Sequence, residues 1–392
     1  MNIVKHDKLK FRYDKFGALA WFPKREIYHL RNEEAALLDL LELPRKLQDI
    51  QGFLFEEQVI TIVEKLLKEG LLVTTEREST EIPDDNYEIL LQKIENANRQ
   101  TINKPFWAHI QPFKFCNQEC IHCYCNGSIH QQKFVLPIDK WKWIIDQIDL
   151  FGVLDIYITG GENLIVDDYF TLTEYVIQKG VGTGLSTNAM SVNQRILNKL
   201  KRLNIDVIQV SIDGSVPEIH DRIRGKAGAL SKSLLGIKKL QNIVNTIIVN
   251  MVVNKLNILD ISNVIKLGIS LGIKKFKVFP QKSAGRGIQF LLNTSDLDVI
   301  SSTCRELVDK YDVEIECLGD EDKCGSGSVG FAINELGNIF PCIFGVENVN
   351  LILGNMLRDN IEDIWFNSEK LNYFRGLSEM HPCTRCEVLT CK

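Results

Sequence analysis

The stretch Cys116-Asn117-Gln118-Glu119-Cys120-Ile121-His122-Cys123 decides how the chain is read: three cysteines at C-x3-C-x2-C spacing, between a β-rich run and a helical one. Trp107 to Gln111 is the β-rich run, and Ile138 to Leu150 carries the helical repeat of apolar residues. Three thiolates hold three irons of a cubane 4Fe-4S cluster and leave the fourth iron open to a ligand that the protein does not supply. Structural zinc takes four protein ligands, usually from paired C-x2-C units, so the uneven trio argues against zinc here. Cys125 is close enough in sequence to close the cluster as a fourth thiolate, but the strand context makes it a spare.

Outward from the loop, β-rich runs alternate with helical ones. Strands are expected at Trp107 to Gln111, Leu154 to Thr159, Thr183 to Ser186, Val207 to Ser211, Thr246 to Val253 and Lys274 to Phe279. Helical patterns such as Ile138 to Leu150, Tyr169 to Gln178 and Ile258 to Leu271 lie between them. Six βα units imply an α/β fold with a parallel sheet, whose chemistry gathers at the C-terminal strand ends. The cysteine loop follows the first strand and belongs to that end.

The N-terminal part reads differently. A hairpin is expected over Leu9 to Phe22, turning at Phe16-Gly17. A helix should follow from Glu33 to Leu43 with Asn32 as N-cap, then another from Leu54 to Lys68, and a strand at Leu71 to Val73. Two short helices among strands resemble a winged helix, and the mixed charge of the second helix discounts DNA. Thr74 to Asn86, polar and acidic with Pro83-Asp84-Asp85, is the clearest linker. The expected division is 1–76 winged-helix-like, 77–104 linker and bridging helix, 105–290 barrel, 291–316 bridging region and 317–392 C-terminal cysteine domain.

Composition sets the outer limits. The 392 residues are enough for two or three domains, and 45% hydrophobic with 25% charged residues is that of a soluble globular chain. A net charge of -5 gives no sign of a dominant nucleic-acid surface and disfavours a polyanionic partner. Charges in Met1 to Lys8 do not suit a secretory signal, and no run reaches the length of a membrane span, so the expectation is cytoplasmic. Of eleven cysteines, four lie within Cys116 to Cys125 and the others between Cys304 and Cys391, a clustering that points to metal or catalysis.

The cysteine loop resembles the signature of the radical S-adenosylmethionine superfamily, carried after the first strand of a partial (β/α)6 barrel, and the likeness spans roughly Pro105 to Arg286. The resemblance implies that Cys116, Cys120 and Cys123 are catalytic and hold a 4Fe-4S cluster. Its open iron binds S-adenosylmethionine, and one electron yields a 5'-deoxyadenosyl radical that abstracts hydrogen from the substrate. Thr159-Gly160-Gly161-Glu162 stands where the family has its G-G-E motif, so Gly160, Gly161 and Glu162 are expected to hold the cosubstrate ammonium; Asn163 replaces the family's frequent proline. By the same resemblance, Ser186, Asn188, Ser211 and Asp213 bind ribose and carboxylate, and Arg222 or Arg224 in His220-Asp221-Arg222-Ile223-Arg224-Gly225 pairs with the cosubstrate carboxylate. Ala284-Gly285-Arg286 is similar to a family loop near the adenosine.

The C-terminal cysteines carry a second signal. Cys324-x12-Gly337-x4-Cys342 followed by Cys383-x2-Cys386-x4-Cys391 resembles the auxiliary-cluster domain called SPASM, or its shorter form twitch. Cys324, Cys342, Cys383 and Cys386 suffice for one 4Fe-4S cluster, with Gly337 in a hairpin turn. Cys317 and Cys391 offer two incomplete clusters instead, and a zinc ribbon is the competing reading. Cys304, on an expected helix, reads as buried packing.

Together these resemblances imply a maturase of ribosomally made peptides, which binds the precursor's leader by strand addition at the N-terminal domain and forms a thioether or carbon cross-link. It draws electrons from a one-electron reductant such as a flavodoxin or ferredoxin. Peptide epimerisation and another SPASM-type activity, in protein maturation or cofactor biosynthesis, are the enzymatic alternatives. A non-catalytic, zinc-stabilised peptide-binding protein is the reading from a different class.

Overall fold

The computed structural model describes residues 2–7, 9–14, 17–21, 27–46, 56–79, 89, 92, 93, 96, 104–205, 207–317 and 325–380. The chain divides into two compact units, 1–104 and 105–392.

In the first unit, β2 (Lys10–Asp14), β3 (Gly17–Trp21) and β4 (Ile27–Leu30) form an antiparallel meander; β1 (Asn2–Lys5) lies between β5 (Arg45–Lys46) and β6 (Leu72–Thr75) in a second antiparallel sheet. The expected hairpin is present, with Asp14 opposite Gly17, and its turn residues 15 and 16 lie outside the described residues. Helix α1 (Asn32–Leu40) and helix α2 (Glu56–Lys68) bury Leu37, Leu38, Val59, Val63 and Leu66 against Ile3 and Leu72. Arg31, not Asn32, caps α1: it is extended at φ -71°, ψ 166°, and its N–H donates to Glu34 Oε2 at 2.9 Å, so Asn32 is already helical. Glu34 is 1% exposed and also accepts from Lys65 Nζ of α2 at 2.7 Å. Burial opposes its ionisation, but the Lys65 ammonium and the Arg31 N–H outweigh burial and hold the carboxyl below its usual range. The expected linker begins later than Thr74, because Thr74 and Thr75 complete β6; residues 80–88 lie outside the described residues.

The second unit opens with β7 (Trp107–Phe113), α3 (Ile138–Phe151), β8 (Asp155–Gly160), α4 (Asp167–Gln178), β9 (Leu185–Thr187), α5 (Gln194–Leu203) and β10 (Val207–Ser211). Helices α6 (Pro217–Arg224) and α7 (Ala229–Leu240), β11 (Thr246–Val253), α8 (Ile261–Ser270), β12 (Lys275–Pro280), α9 (Thr294–Lys310) and β13 (Glu314–Cys317) complete the alternation. Strands β9 to β13 form one wholly parallel sheet in chain order, and β7 pairs parallel with β8. The two sheets meet at a seam: Ile156 N–H donates to Gly182 O and Gly182 N–H to Leu154 O, below β9. Along β11, Ile247, Val249, Met251 and Val253 are buried in the core, while Asn250 and Val252 face the functional cavity.

The C-terminal part continues the barrel sheet. Strand β14 (Gly330–Ile333) pairs parallel with β7, and β15 (Asn338–Phe340) and β16 (Gly354–Asn355) extend it antiparallel. Gly330 permits this because a Cβ there would strike the Trp107 indole. Gly337, at φ +80°, makes the β14–β15 turn expected from the sequence. Trp365 of helix α10 (Ile361–Asn367) is buried against Phe331 and Phe151.

Candidate active site

A cavity of about 390 Å³ is lined from the C-terminal ends of the barrel strands. Cys116, Cys120 and Cys123 line it, as do Gly160, Gly161, Glu162, Ser186, Asn188, Ser211 and Arg224. Residues more than a hundred positions apart thus share one wall because each ends, or follows, a parallel strand.

The cysteine loop is pressed onto the strand ends. A Cβ at Gly160 (φ +142°) would run into the Phe113 carbonyl and one at Gly161 into the Phe115 carbonyl, while Glu162 N–H donates to Phe115 O at 3.0 Å. Glycine is therefore required at both positions by the closeness of β7 and β8. From the other side, Arg286 Nε donates to Cys120 O at 2.9 Å and Nη2 to Gly127 O at 2.8 Å, and its backbone N–H donates to Cys123 O. Arg286 thus clasps the loop's carbonyls and does not line the cavity. Its sequence signal was the likeness of Ala284-Gly285-Arg286 to a family loop near the adenosine, and Gly285 at φ +53° lies directly on the Cys123 and Tyr124 carbonyls. The loop after β12 is fixed by Gln281, whose amide N–H groups donate to Gly287 O and Gln289 O while its Oε1 accepts from Asn254.

The four thiols differ. Burial pushes Cys116 upward, helped by the Glu162 charge, and pushes Cys120 up to about 11 against the pull of Arg224. Cys123 is lowered to about 6, first by the hydrogen bond from Cys125 and further by the Gly127 N–H, 3.3 Å from its sulfur. Cys125 is buried, 3.7 Å from Cys123 Sγ and 3.4 Å from Gly160 O, and is not among the lining residues.

Glu162 is 3% exposed and its carboxylate is held by three donors, with acceptor capacity left on Oε2. Oε2 accepts from Asn188 N–H at 2.7 Å, and Oε1 accepts from Leu164 N–H at 3.1 Å and from the Thr187 hydroxyl. Burial nevertheless raises its pKa. Asn163, the departure from the family's proline, bridges the seam: its Nδ2 donates to Ile158 O of β8 and to Ser186 O of β9. Proline could do neither. Asn188 spends its amide on Asn117 Oδ1 at 2.7 Å, tying the third strand end back to the cysteine loop.

The remaining expected residues separate. Asp213 is fully buried beneath the cavity, ion-paired with Arg224 Nε at 2.7 Å and facing His122 Nε2 at 3.5 Å; its Oδ1 accepts from Val252 N–H. Arg222 corrects the expectation that either arginine faces the cosubstrate: it is exposed, because two positions on a helix are about 200° apart and Arg224 takes the inner face. Burial and Arg224 keep His220 neutral, its pKa lowered to about 4, and its Nδ1 accepts from Asp213 N–H.

C-terminal residues reach the same rim. Phe344 lines the cavity and packs edge-on to Tyr124, and Lys114 pairs with Glu335 at 2.8 Å and Glu347 at 2.6 Å. Cys342 directly follows the β14–β15 hairpin. Cys324, Cys383, Cys386 and Cys391 lie outside the described residues. Cys317 is hydrogen-bonded to Cys304, and this bond together with burial pushes the Cys304 thiol up. Cys304 is thus half of a thiol pair as well as core packing.

Among the described residues, no group of three or more His, Cys, Asp or Glu side chains is arranged around a single metal ion. The donor set of the cavity does fit a larger iron-sulfur group: three soft sulfur ligands share one wall, and N–H donors approach two of them. Asn163 Oδ1 and Asn250 Oδ1, both buried on residues of that wall, have no hydrogen-bond partner among the described residues, which suits a polar cosubstrate.

Comparison with known proteins agrees with this geometry. Residues 110–268 match the Radical SAM superfamily, and residues 324–387 match the iron-sulfur cluster-binding domain SPASM. The AdoMet-dependent heme synthase of Methanosarcina barkeri is 27% identical over 302 residues, covering 69% of this chain and 85% of that one. The PqqA peptide cyclase of Rhizobium meliloti is 25% identical over 292 residues, 69% and 76% of the two chains. In structure, Streptococcus suis SuiB bound to its precursor peptide SuiA superposes with a TM-score of 0.77 at 17% identity, over 96% of this chain and 90% of that one.

Proposed function

From the premise that this chain joins a radical S-adenosylmethionine domain to an auxiliary iron-sulfur domain, we propose that it is a maturase of a ribosomally made precursor peptide. What carries the reading is that the three thiols of the C-x3-C-x2-C loop and the Glu162 wall enclose one cavity at the strand ends. Cys116, Cys120 and Cys123 would hold a 4Fe-4S cluster, which with S-adenosylmethionine would supply radical abstraction of a hydrogen atom from the substrate.

The chain's own residues hold and position. Gly160 and Gly161 let the chain lie against the Phe113 and Phe115 carbonyls, which sets Glu162 in the cavity wall, and Glu162, fixed by Asn188, Thr187 and Leu164, receives the cosubstrate ammonium. Ser186 and Ser211 present hydroxyls from neighbouring strand ends for the ribose. Phe344 and Tyr124 give the rim an apolar face against which a peptide side chain excludes water. Cys324, Cys342, Cys383 and Cys386 supply the four thiolates of one auxiliary cluster.

Residues 1–76 are the recognition element. Among the described residues the meander β2-β3-β4 has β2 and β4 as its edges, and a leader peptide added there gains main-chain hydrogen bonds. The peptide partner of SuiB and the peptide substrate of the cyclase support this class of substrate. Electrons come from a flavodoxin or ferredoxin in the cytoplasm; no described helix is long and apolar enough to cross a membrane.

A second reading, modification of a small cofactor precursor, is favoured by the heme synthase likeness. Anaerobic incubation of the reconstituted chain with S-adenosylmethionine, reductant and a precursor peptide encoded beside it decides between them by mass spectrometry. A cross-linked peptide that has lost two hydrogens is expected, and an epimerised residue of unchanged mass marks the neighbouring activity. No peptide change, with 5'-deoxyadenosine formed instead on a tetrapyrrole precursor, overturns the peptide reading.

A further inference from the structure

Helix α6 is joined to the cysteine loop at three independent points. Ile121 N–H donates to Ile223 O at 2.9 Å, Arg224 Nη1 donates to Cys120 Sγ at 3.8 Å, and Gly225, at φ +61°, lets the chain lie on the Glu119 carbonyl. Arg224 is 7% exposed and its other edge is held by Asp213, 2.7 Å from Nε. Asp213 is anchored in turn: Oδ1 accepts from Val252 N–H at 2.9 Å, its N–H donates to His220, and its carbonyl accepts from Asn257 Nδ2. The guanidinium is therefore committed on one side to a carboxylate and on the other to a ligand sulfur.

We propose that Arg224, set by Asp213, is a positioning residue that tunes the reduction potential of the cluster at Cys116, Cys120 and Cys123, and that binding the cosubstrate carboxylate is not its main work. The proposal rests on the assignment of a cluster to those three cysteines. A cation hydrogen-bonded to a ligand sulfur stabilises the added negative charge of the reduced cluster and so makes one-electron reduction easier. Asp213, fully buried 2.7 Å behind the guanidinium, offsets part of that charge and fixes its direction. The two residues therefore act on the potential with opposite signs. Packing alone gives no such opposition.

The test is an anaerobic EPR-monitored redox titration of the full reconstituted chain, following the signal that changes on adding S-adenosylmethionine, in the parent, R224Q and D213N. R224Q is expected to lower the midpoint, with the ratio of reduced to oxidised cluster at a fixed potential falling about tenfold, as for loss of a charged hydrogen bond. D213N is expected to raise it. Equilibrium dialysis of S-adenosylmethionine should change less than about threefold in R224Q, against the tenfold or more that loss of a charged contact to its carboxylate gives. Midpoints that stay put or move together, or an R224Q whose midpoint is unchanged while cosubstrate binding is lost, overturn the proposal. Should R224Q fail to take up iron, D213N decides alone: an upward shift supports the role and any other result removes it. A parent that takes up no cluster removes the underlying assignment, and the proposal with it.

Discussion

Two groups of thiols in the second unit have surroundings that could hardly differ more. Cys116, Cys120 and Cys123 sit in a loop between strand and helix, with a guanidinium and a backbone N–H directed at two of the sulfurs and a second arginine clasping the loop's carbonyls. Cys304 and Cys317 join α9 to β13 as free thiols hydrogen-bonded to each other, with Cys304 packed in the apolar core. Cysteine alone does not make a metal site. Donors to sulfur and an adjoining cavity do, and the second pair has no share in the cavity wall.

The contrast breaks first at the ligands. Cys120→Ala should reduce S-adenosylmethionine cleavage to background and remove the cluster's visible absorption, because an incomplete trio no longer holds three irons. Gly161→Ala should be nearly as severe: its Cβ has no room against the Phe115 carbonyl, backbone that cannot move aside, so iron per chain after reconstitution should fall well below the parent's. Arg286→Gln loses charge-assisted hydrogen bonds to Cys120 O and Gly127 O, and urea unfolding of the iron-loaded chain should show a loss of about 2 kcal/mol.

Smaller effects sharpen the difference. In iron-free chain, alkylation of Cys123 should rise through an inflection near pH 6, where its thiolate forms, while Cys304, pushed upward, shows no inflection up to pH 9. At pH 7 Cys123 should label at least about tenfold faster, read by peptide mass spectrometry. Smallest is Cys304→Ala, which should cost about 1 kcal/mol of stability and leave iron content and cleavage unchanged.

Legibility follows the same division. The trio, Gly160-Gly161-Glu162 and the strand-end order were readable because each is a local pattern tied to a strand, and the structure lines one cavity with them. Strands β10 and β11 fall on the expected bounds, since alternating apolar runs between turn signals leave little freedom. Arg286, Gln281 and Asn254 were not readable as a clasp, because their roles arise from carbonyls more than a hundred residues away or from a loop fold that no periodicity marks. Arg222 and Arg224 looked equivalent until the segment became a helix, whose rotation puts one outside and one inside. Asn163 was read as a missing proline and proves to be a seam bond. The Cys304 pairing was hidden because Cys317 belongs to a strand thirteen residues away, and spacing alone assigns it equally well to a cluster.

The most direct test is S-adenosylmethionine cleavage by the full chain, reconstituted without oxygen and reduced, beside a variant with Cys116, Cys120 and Cys123 all changed to alanine. The account predicts 5'-deoxyadenosine from the parent and none from the variant, which keeps the iron of its C-terminal domain. A parent that takes up zinc in place of iron and yields no 5'-deoxyadenosine would contradict it.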